Sequence, residues 1–214
     1  MNDLLLVLLL FAYVAVVLLI SLTLHYKKII RGRTARNLVH FFSGFSILFL
    51  FIAENKYYLL IASAVITLML FLARKKTPLL KYVYKAIKEK EEKNFLEGPV
   101  LYGVSITLMV YYSIIADNNI IPLISILVLT ISDPLASIIG RKFGKNKLIN
   151  NRTLEGSTAM AVSSLAIISL FQGFSITAII QAVLIAFAEL LSPSKWDDLT
   201  VPLFTAALLT LAGP

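Results

Sequence analysis

Four acids, a histidine and a run of cations stand in a chain that is otherwise apolar, and their spacing suggests chemistry. Asp133 lies inside an apolar segment, eight residues before Arg141, or about 12 Å along a helix. A carboxylate at that depth costs about 2.5–3.5 kcal/mol on insertion scales, so it needs a partner, a cavity or a function. Beyond it, Gly140, Arg141, Lys142, Gly144, Lys145 and Lys147 form a cationic loop. Glycines let backbone amides approach an anion, and arginine and lysine neutralise it. Glu155 opens the next apolar segment, and Asp197 with Asp198 opens the last. Oxygen ligands of this kind suit magnesium. Arg36 and His40 are four apart, on one helical face. Acid at depth, a cationic loop and acid at the next entry are the parts of a metal–phosphate site.

Each group also has a plainer reading. Asp133 would cap a half-helix beginning at Pro134. The cations would report topology alone. Glu155 would answer the positive end of its helix, Asp197 and Asp198 would be caps, and His40 would be structural. What favours the site is that all these groups fall on the same side of the membrane once the spans are placed.

The elements that position them follow from composition. Of 214 residues 58% are hydrophobic and only 15% charged, against about a quarter charged in soluble domains. Mean hydropathy is +0.85. The apolar residues come in blocks near 4–24, 38–53, 57–73, 99–116, 120–140, 157–171, 175–191 and 199–213. This pattern predicts an all-α polytopic membrane protein of about eight transmembrane helices, with 1–214 as a single domain. The fifth helix is expected to break near Asp133, because Pro134 suits the first position of a new helix. The first block is too long for a signal-peptide core and is expected to be retained. With no cysteine, disulfides and thiolate metal sites are excluded.

Of the twenty Lys and Arg, all but Lys56 fall in loops on one side of this arrangement. The positive-inside rule makes that side cytoplasmic and puts both termini outside. The net charge of +8 is thus a topology signal, and no nucleic-acid partner is expected. Over 79–93 apolar residues recur at helical spacing opposite lysines, which predicts an interfacial amphipathic helix. The Ile/Lys/Asn-rich, cysteine-free chain suits a prokaryotic or archaeal cell membrane.

Several motifs carry a family resemblance. They are Arg36-Asn-Leu-Val-His40-Phe-Phe-Ser-Gly44, Glu97-Gly98-Pro99 with Tyr102-Gly103, Asp133-Pro-Leu-Ala-Ser with Gly140-Arg-Lys-Phe-Gly-Lys145, Thr153-Leu-Glu-Gly-Ser157, and Asp197-Asp198-Leu-Thr-Val-Pro202. Over roughly 36–202 the chain resembles the CTP-dependent lipid-alcohol kinases: dolichol kinase, phytol kinase and yeast-type diacylglycerol kinase. Ser132 stands where that family usually has glycine. The last motif lacks the asparagine of Asp-Asn-Leu-Thr, which leaves the roles of Asp197 and Asp198 open. The central run is also similar to phosphatidate cytidylyltransferases, whose Pro-Gly-His-Gly-Gly stretch is absent here.

The resemblance implies transfer of the γ-phosphate of CTP, with Mg2+, to the hydroxyl of a lipid alcohol drawn from the bilayer. Asp133 would hold magnesium, with Glu155 and Asp197 as further metal groups. Arg36, Arg141, Lys142, Lys145 and Lys147, with Gly140 and Gly144, would bind phosphate. Asp198 and His40 would join Asp133 in catalysis, Asp198 accepting the hydroxyl proton. A cytidylyltransferase making a CDP-lipid, and a transporter without turnover, are the alternatives. Oligomeric state is not legible.

Overall fold

The computed structural model describes residues 3–30, 32–73, 98–193 and 196–212. Every regular element among them is helical, so the all-helical class is borne out. Five helices are long and apolar enough to cross a bilayer: Asp3–Tyr26, Thr34–Phe51, Gly98–Ile115, Ile120–Phe143 and Leu154–Gln172. Lys56–Leu72 and Ile176–Leu191 are apolar but shorter. Large apolar side chains such as Leu19, Leu170 and Leu211 are exposed, a surface that suits lipid rather than water. The interfacial helix expected over 79–93 lies outside the described residues.

The helices form two compact units, Met1–Asp117 and Asn118–Pro214. The first contains α1 (Asp3–Tyr26), α2 (Gly32–Gly44, running into a 3-10 turn at Phe45–Phe51), α3 (Lys56–Ala73) and α4 (Gly98–Ile115). At one end the Asp3 carboxylate accepts from the Glu54 and Asn55 amides, both at 3.1 Å. Lys56 donates to the Ser113 carbonyl at 3.1 Å and pairs with Asp117 at 3.4 Å, joining α3 to α4. Toward the other end the Tyr102 hydroxyl donates to the His40 carbonyl at 2.9 Å, joining α4 to α2. Successive helices therefore run antiparallel, with α1 and α3 starting at one end and α2 and α4 at the other.

The second unit contains α5 (Ile120–Leu127), a π-helical turn (Val128–Ser132), α6 (Asp133–Phe143), α7 (Leu154–Gln172), α8 (Ile176–Leu191) and α9 (Asp197–Ala212). The break expected near Asp133 does not occur. Ser132 and Asp133 both keep right-handed helical backbone angles, at φ −71°, ψ −41° and φ −64°, ψ −48°. The chain passes from α5 to α6 through the π-turn instead. Pro134 has no amide hydrogen to give the preceding turn, and a π-turn is how helices take up such a mismatch without unwinding.

The α6–α7 contact depends on absent side chains. A Cβ on Gly156 would stand 3.0 Å from the Ala136 carbonyl and 3.3 Å from the Gly140 Cα, and one on Gly140 would stand 2.8 Å from the Thr153 hydroxyl. Gly156→Leu is expected to cost about 1–3 kcal/mol through overpacking. A lowered melting temperature in detergent, read by intrinsic fluorescence, checks this.

Candidate active site

The second unit gathers most of the residues singled out above. The loop after α6 is shaped by its own backbone. Lys147 and Thr153 form an antiparallel bridge, the Leu154 amide donates to the Asn146 carbonyl at 2.9 Å, and Thr153 caps α7 by accepting from the Gly156 amide at 3.1 Å. Asn150 and Asn151 have φ of 53° and 59°, a left-handed conformation asparagine tolerates better than most residues. The Asn150 side-chain amide donates to the carbonyl of Leu190 at 3.1 Å, which ties the loop to the end of α8.

That turn sends Arg152 inward. One guanidinium nitrogen lies 2.6 Å from Glu189 on α8, and another donates to Asp197 at the start of α9 at 2.7 Å. Glu189 is 1% exposed and Asp198 is 1% exposed. Burial opposes the charge on Arg152, but Glu189, Asp197 and Asp133 outweigh it and hold the group above arginine's ordinary pKa. It is a permanent, partly buried cation.

Arg152 stands among several acids. Asp133 is within electrostatic reach of Asp197, Arg152, Asp198 and Glu189. Asp133 Oδ1 and Glu189 Oε2 are buried without a hydrogen-bond partner. Buried charge is costly unless paired or bound to metal, so this corner suits an added cation. Among the described residues no three acids or histidines stand close enough to form a protein cage for a metal. Magnesium seldom needs one, because it binds through one or two carboxylates and completes its shell with water and phosphate oxygens. Asp133 and Glu189 fit that role.

Beside the acids is a cavity of about 110 Å³, lined by Ala136, Ser137, Gly140, Arg141, Asn151, Arg152, Thr153, Gly156, Ser157 and Glu189. It has room for several waters or a phosphoryl group. Arg152 Nε and the Ser157 hydroxyl are buried without partners, so the wall offers unused donors beside a cation. An anion bound there would satisfy both.

The remaining candidates divide. Arg141 lines the cavity and is exposed, as are Lys142, Lys145 and Lys147 on the loop. Lys142 lies 5.3 Å from the Phe143 ring centroid. Gly140 and Gly144 admit Thr153, whose side chain a Cβ on either would meet within 3 Å. Glu155 Oε1 accepts from the Lys145 and Asn146 amides at 3.0 and 3.3 Å, so this acid shapes the cationic loop, while its Oε2 is without a partner. Asp197 also accepts from the Asp198 amide at 3.0 Å.

Arg36 and His40 belong to the first unit, where both line a second, largely apolar cavity. The His40 ring stacks obliquely on Tyr102 with centroids 4.0 Å apart. Ser43 donates to the Tyr102 hydroxyl at 3.2 Å.

The cytidylyltransferase family matches this chain over residues 3–208. The chain belongs to that family. It is also 33% identical over 127 residues to phytol kinase of Synechocystis sp.. That match covers 54% of each chain, so this chain spans about half the length of the relative it matches. No solved structure matches. The motif resemblance to the CTP-dependent lipid kinases is borne out as a family relationship.

Two members of the site escape a reading of this cytidylyltransferase-family sequence. Arg152 counts there only as one more loop cation, and Ser157 only as the end of a motif. The available signal is the Asn150–Asn151 pair, whose left-handed propensity marks a reversal that turns the next side chain inward.

Proposed function

We propose that the chain is an integral membrane kinase that moves the γ-phosphate of CTP to the hydroxyl of a lipid alcohol, with magnesium. The observation that carries this reading is the pair of buried, unpartnered carboxylate oxygens on Asp133 and Glu189, next to a small cavity with unused donors. Phosphoryl transfer asks chiefly for positioning and charge neutralisation, and the second unit supplies both. Similarity to a phytol kinase supports the kinase chemistry.

In this reading Arg141, Arg152 and Ser157 hold phosphate in the cavity, and Lys142, Lys145 and Lys147 draw the triphosphate to the loop. Magnesium, held by Asp133 and Glu189 with water, would neutralise the phosphate oxygens. The lipid hydroxyl oxygen bonds to the γ-phosphorus, the bond to the bridging oxygen of CDP breaks, and the hydroxyl proton passes to a carboxylate. Asp198, the catalytic acid that the family resemblance implies, is assigned the proton. The basic loops face the cytoplasm and eight helices cross the membrane, the three shorter ones where the bilayer is thinned.

The family also contains enzymes that release pyrophosphate and make a CDP-lipid, and the match to its pattern keeps that reading as the alternative. A matrix of CTP, ATP, GTP and UTP against prenols, diacylglycerol and their monophosphates, with thin-layer analysis of lipid products, tests the proposal. A lipid monophosphate formed with CTP supports it; a CDP-lipid, or no product with any pair, overturns it.

A further inference from the structure

The α6–α7 loop of the second unit carries apolar side chains that neither the core nor the cavity uses. Ile149 is 53% exposed and Leu148 37%. The loop is not free to fold them in. Lys147 bridges to Thr153, the Leu148 amide donates to the Arg152 carbonyl at 2.7 Å, and Asn150 donates to the Leu190 and Leu191 carbonyls at 3.1 and 3.3 Å. These bonds hold the 3-10 turn Ile149–Asn151 against the end of α8, where Leu191 is 63% exposed. Aliphatic side chains held outward together suit an apolar neighbour rather than water.

The position of the loop supplies that neighbour. The segments on either side of it, Ile120–Phe143 and Leu154–Gln172, are long and apolar enough to cross a bilayer. Phe143 and Leu154, where they meet the loop, are themselves exposed. The loop therefore starts and finishes at the level where the chain leaves hydrocarbon. Charge then selects the kind of surface. Lys142, Lys145 and Lys147 are exposed around the same turn, and from Arg141 to Thr153 the sequence has no acid. Lysine stems lie along apolar surface while their ammonium groups reach outward. Inserted aliphatic residues beside lysines complement a bilayer with anionic headgroups.

We propose that the α6–α7 loop is an anchor for anionic phospholipid. Leu148, Ile149 and Leu191 enter the boundary between headgroups and acyl chains, and Lys142 and Lys147 meet lipid phosphates. The partner is the bulk lipid of the bilayer, not a reactant. The same turn gives Asn151, Arg152 and Thr153 to the cavity beside the acids, so the anchor fixes that cavity at headgroup depth. A triphosphate arriving at the loop would meet the same lysines, so lipid contact is measured without nucleotide. The anchor thereby stands or falls apart from the kinase reading.

The chain has a single tryptophan, so Trp196→Phe gives a silent background for a reporter. The full chain with Trp196→Phe and Ile149→Trp is placed in nanodiscs of dioleoyl phosphatidylcholine. Phosphatidylcholine brominated in its acyl chains, added as a minor share of the lipid, is expected to quench the reporter. Phosphatidylglycerol brominated in the same way is expected to quench about fivefold more effectively, the selectivity that one lysine near the surface contributes. Leu191→Trp in the same background is expected to behave alike, and decides if Ile149→Trp does not fold. Lys142→Gln with Lys147→Gln is expected to make the two lipids equal; Lys145 is kept because it also acts on Glu155. Leu19→Trp, on the exposed face of α1, is expected to be quenched equally by both lipids from the start. Absence of quenching at both loop reporters, or equal quenching there by the two lipids, would overturn the proposal. So would a preference for phosphatidylglycerol that survives the lysine substitutions or appears equally at Leu19→Trp.

Discussion

Asp133→Asn, in purified protein reconstituted in lipid, is expected to lose about 10³-fold in phosphoryl transfer and to fold normally. The side chain keeps its size and loses its charge, so packing beside the π-turn is preserved. Its Oδ1 has no hydrogen-bond partner, and its electrostatic surroundings hold three other acids against Arg152. A carboxylate kept in that setting adds repulsion to the fold, and removing its charge should leave the melting temperature unchanged or slightly higher. The loss in rate follows from removing a group that neutralises developing charge, a change typically worth 10²–10³ or more. Activity and melting temperature measured on the same preparation check this. Loss of both together would make Asp133 structural; unchanged rate would remove it from the chemistry.

Arg152→Met is expected to do the opposite, failing first in stability. Methionine approximates the bulk of the aliphatic stem but removes the cation that Glu189 and Asp197 share. Breaking a buried pair in this way costs about 3–5 kcal/mol. Three separate pieces, the α6–α7 loop, α8 and α9, are joined at this residue, so the loss should appear as a lower melting temperature and faster proteolysis. Glu189→Gln in the same chain removes one uncompensated charge and should restore part of the stability without restoring activity. Arg152→Lys keeps charge but cannot reach both acids as a planar fork does, and should fall between. Thermal melts of the three variants check the order.

The contrast between these residues shows what a linear reading can reach. The helices were legible because lipid-facing apolar blocks are a composition signal, and Asp133 because a charge at depth is conspicuous in one. Glu155 was legible as a residue needing explanation, but its contacts with the Lys145 and Asn146 amides depend on the path of a loop. Arg152 was hidden for the same reason: its direction is set by two left-handed asparagines and by a tether to the end of α8. The π-turn before Asp133 was read as a break, because proline signals a disturbed helix without saying whether the chain unwinds or widens by one residue. Gly140 and Gly144 suit an anion loop in sequence, yet in space both make room for Thr153. Pattern identifies which residues are costly; only packing shows which neighbour meets that cost.

The central claim is that the acids around Arg152 serve γ-phosphoryl transfer. The most direct measurement follows the position of a label: CTP carrying radioactive phosphorus at the γ position in one reaction and at the α position in another, each with a lipid alcohol and its unlabelled monophosphate together and magnesium. The γ label is expected in a lipid monophosphate and the α label in CDP, and Asp133→Asn is expected to abolish both changes. Label from the α position in the lipid, with the γ label released as pyrophosphate, would contradict it.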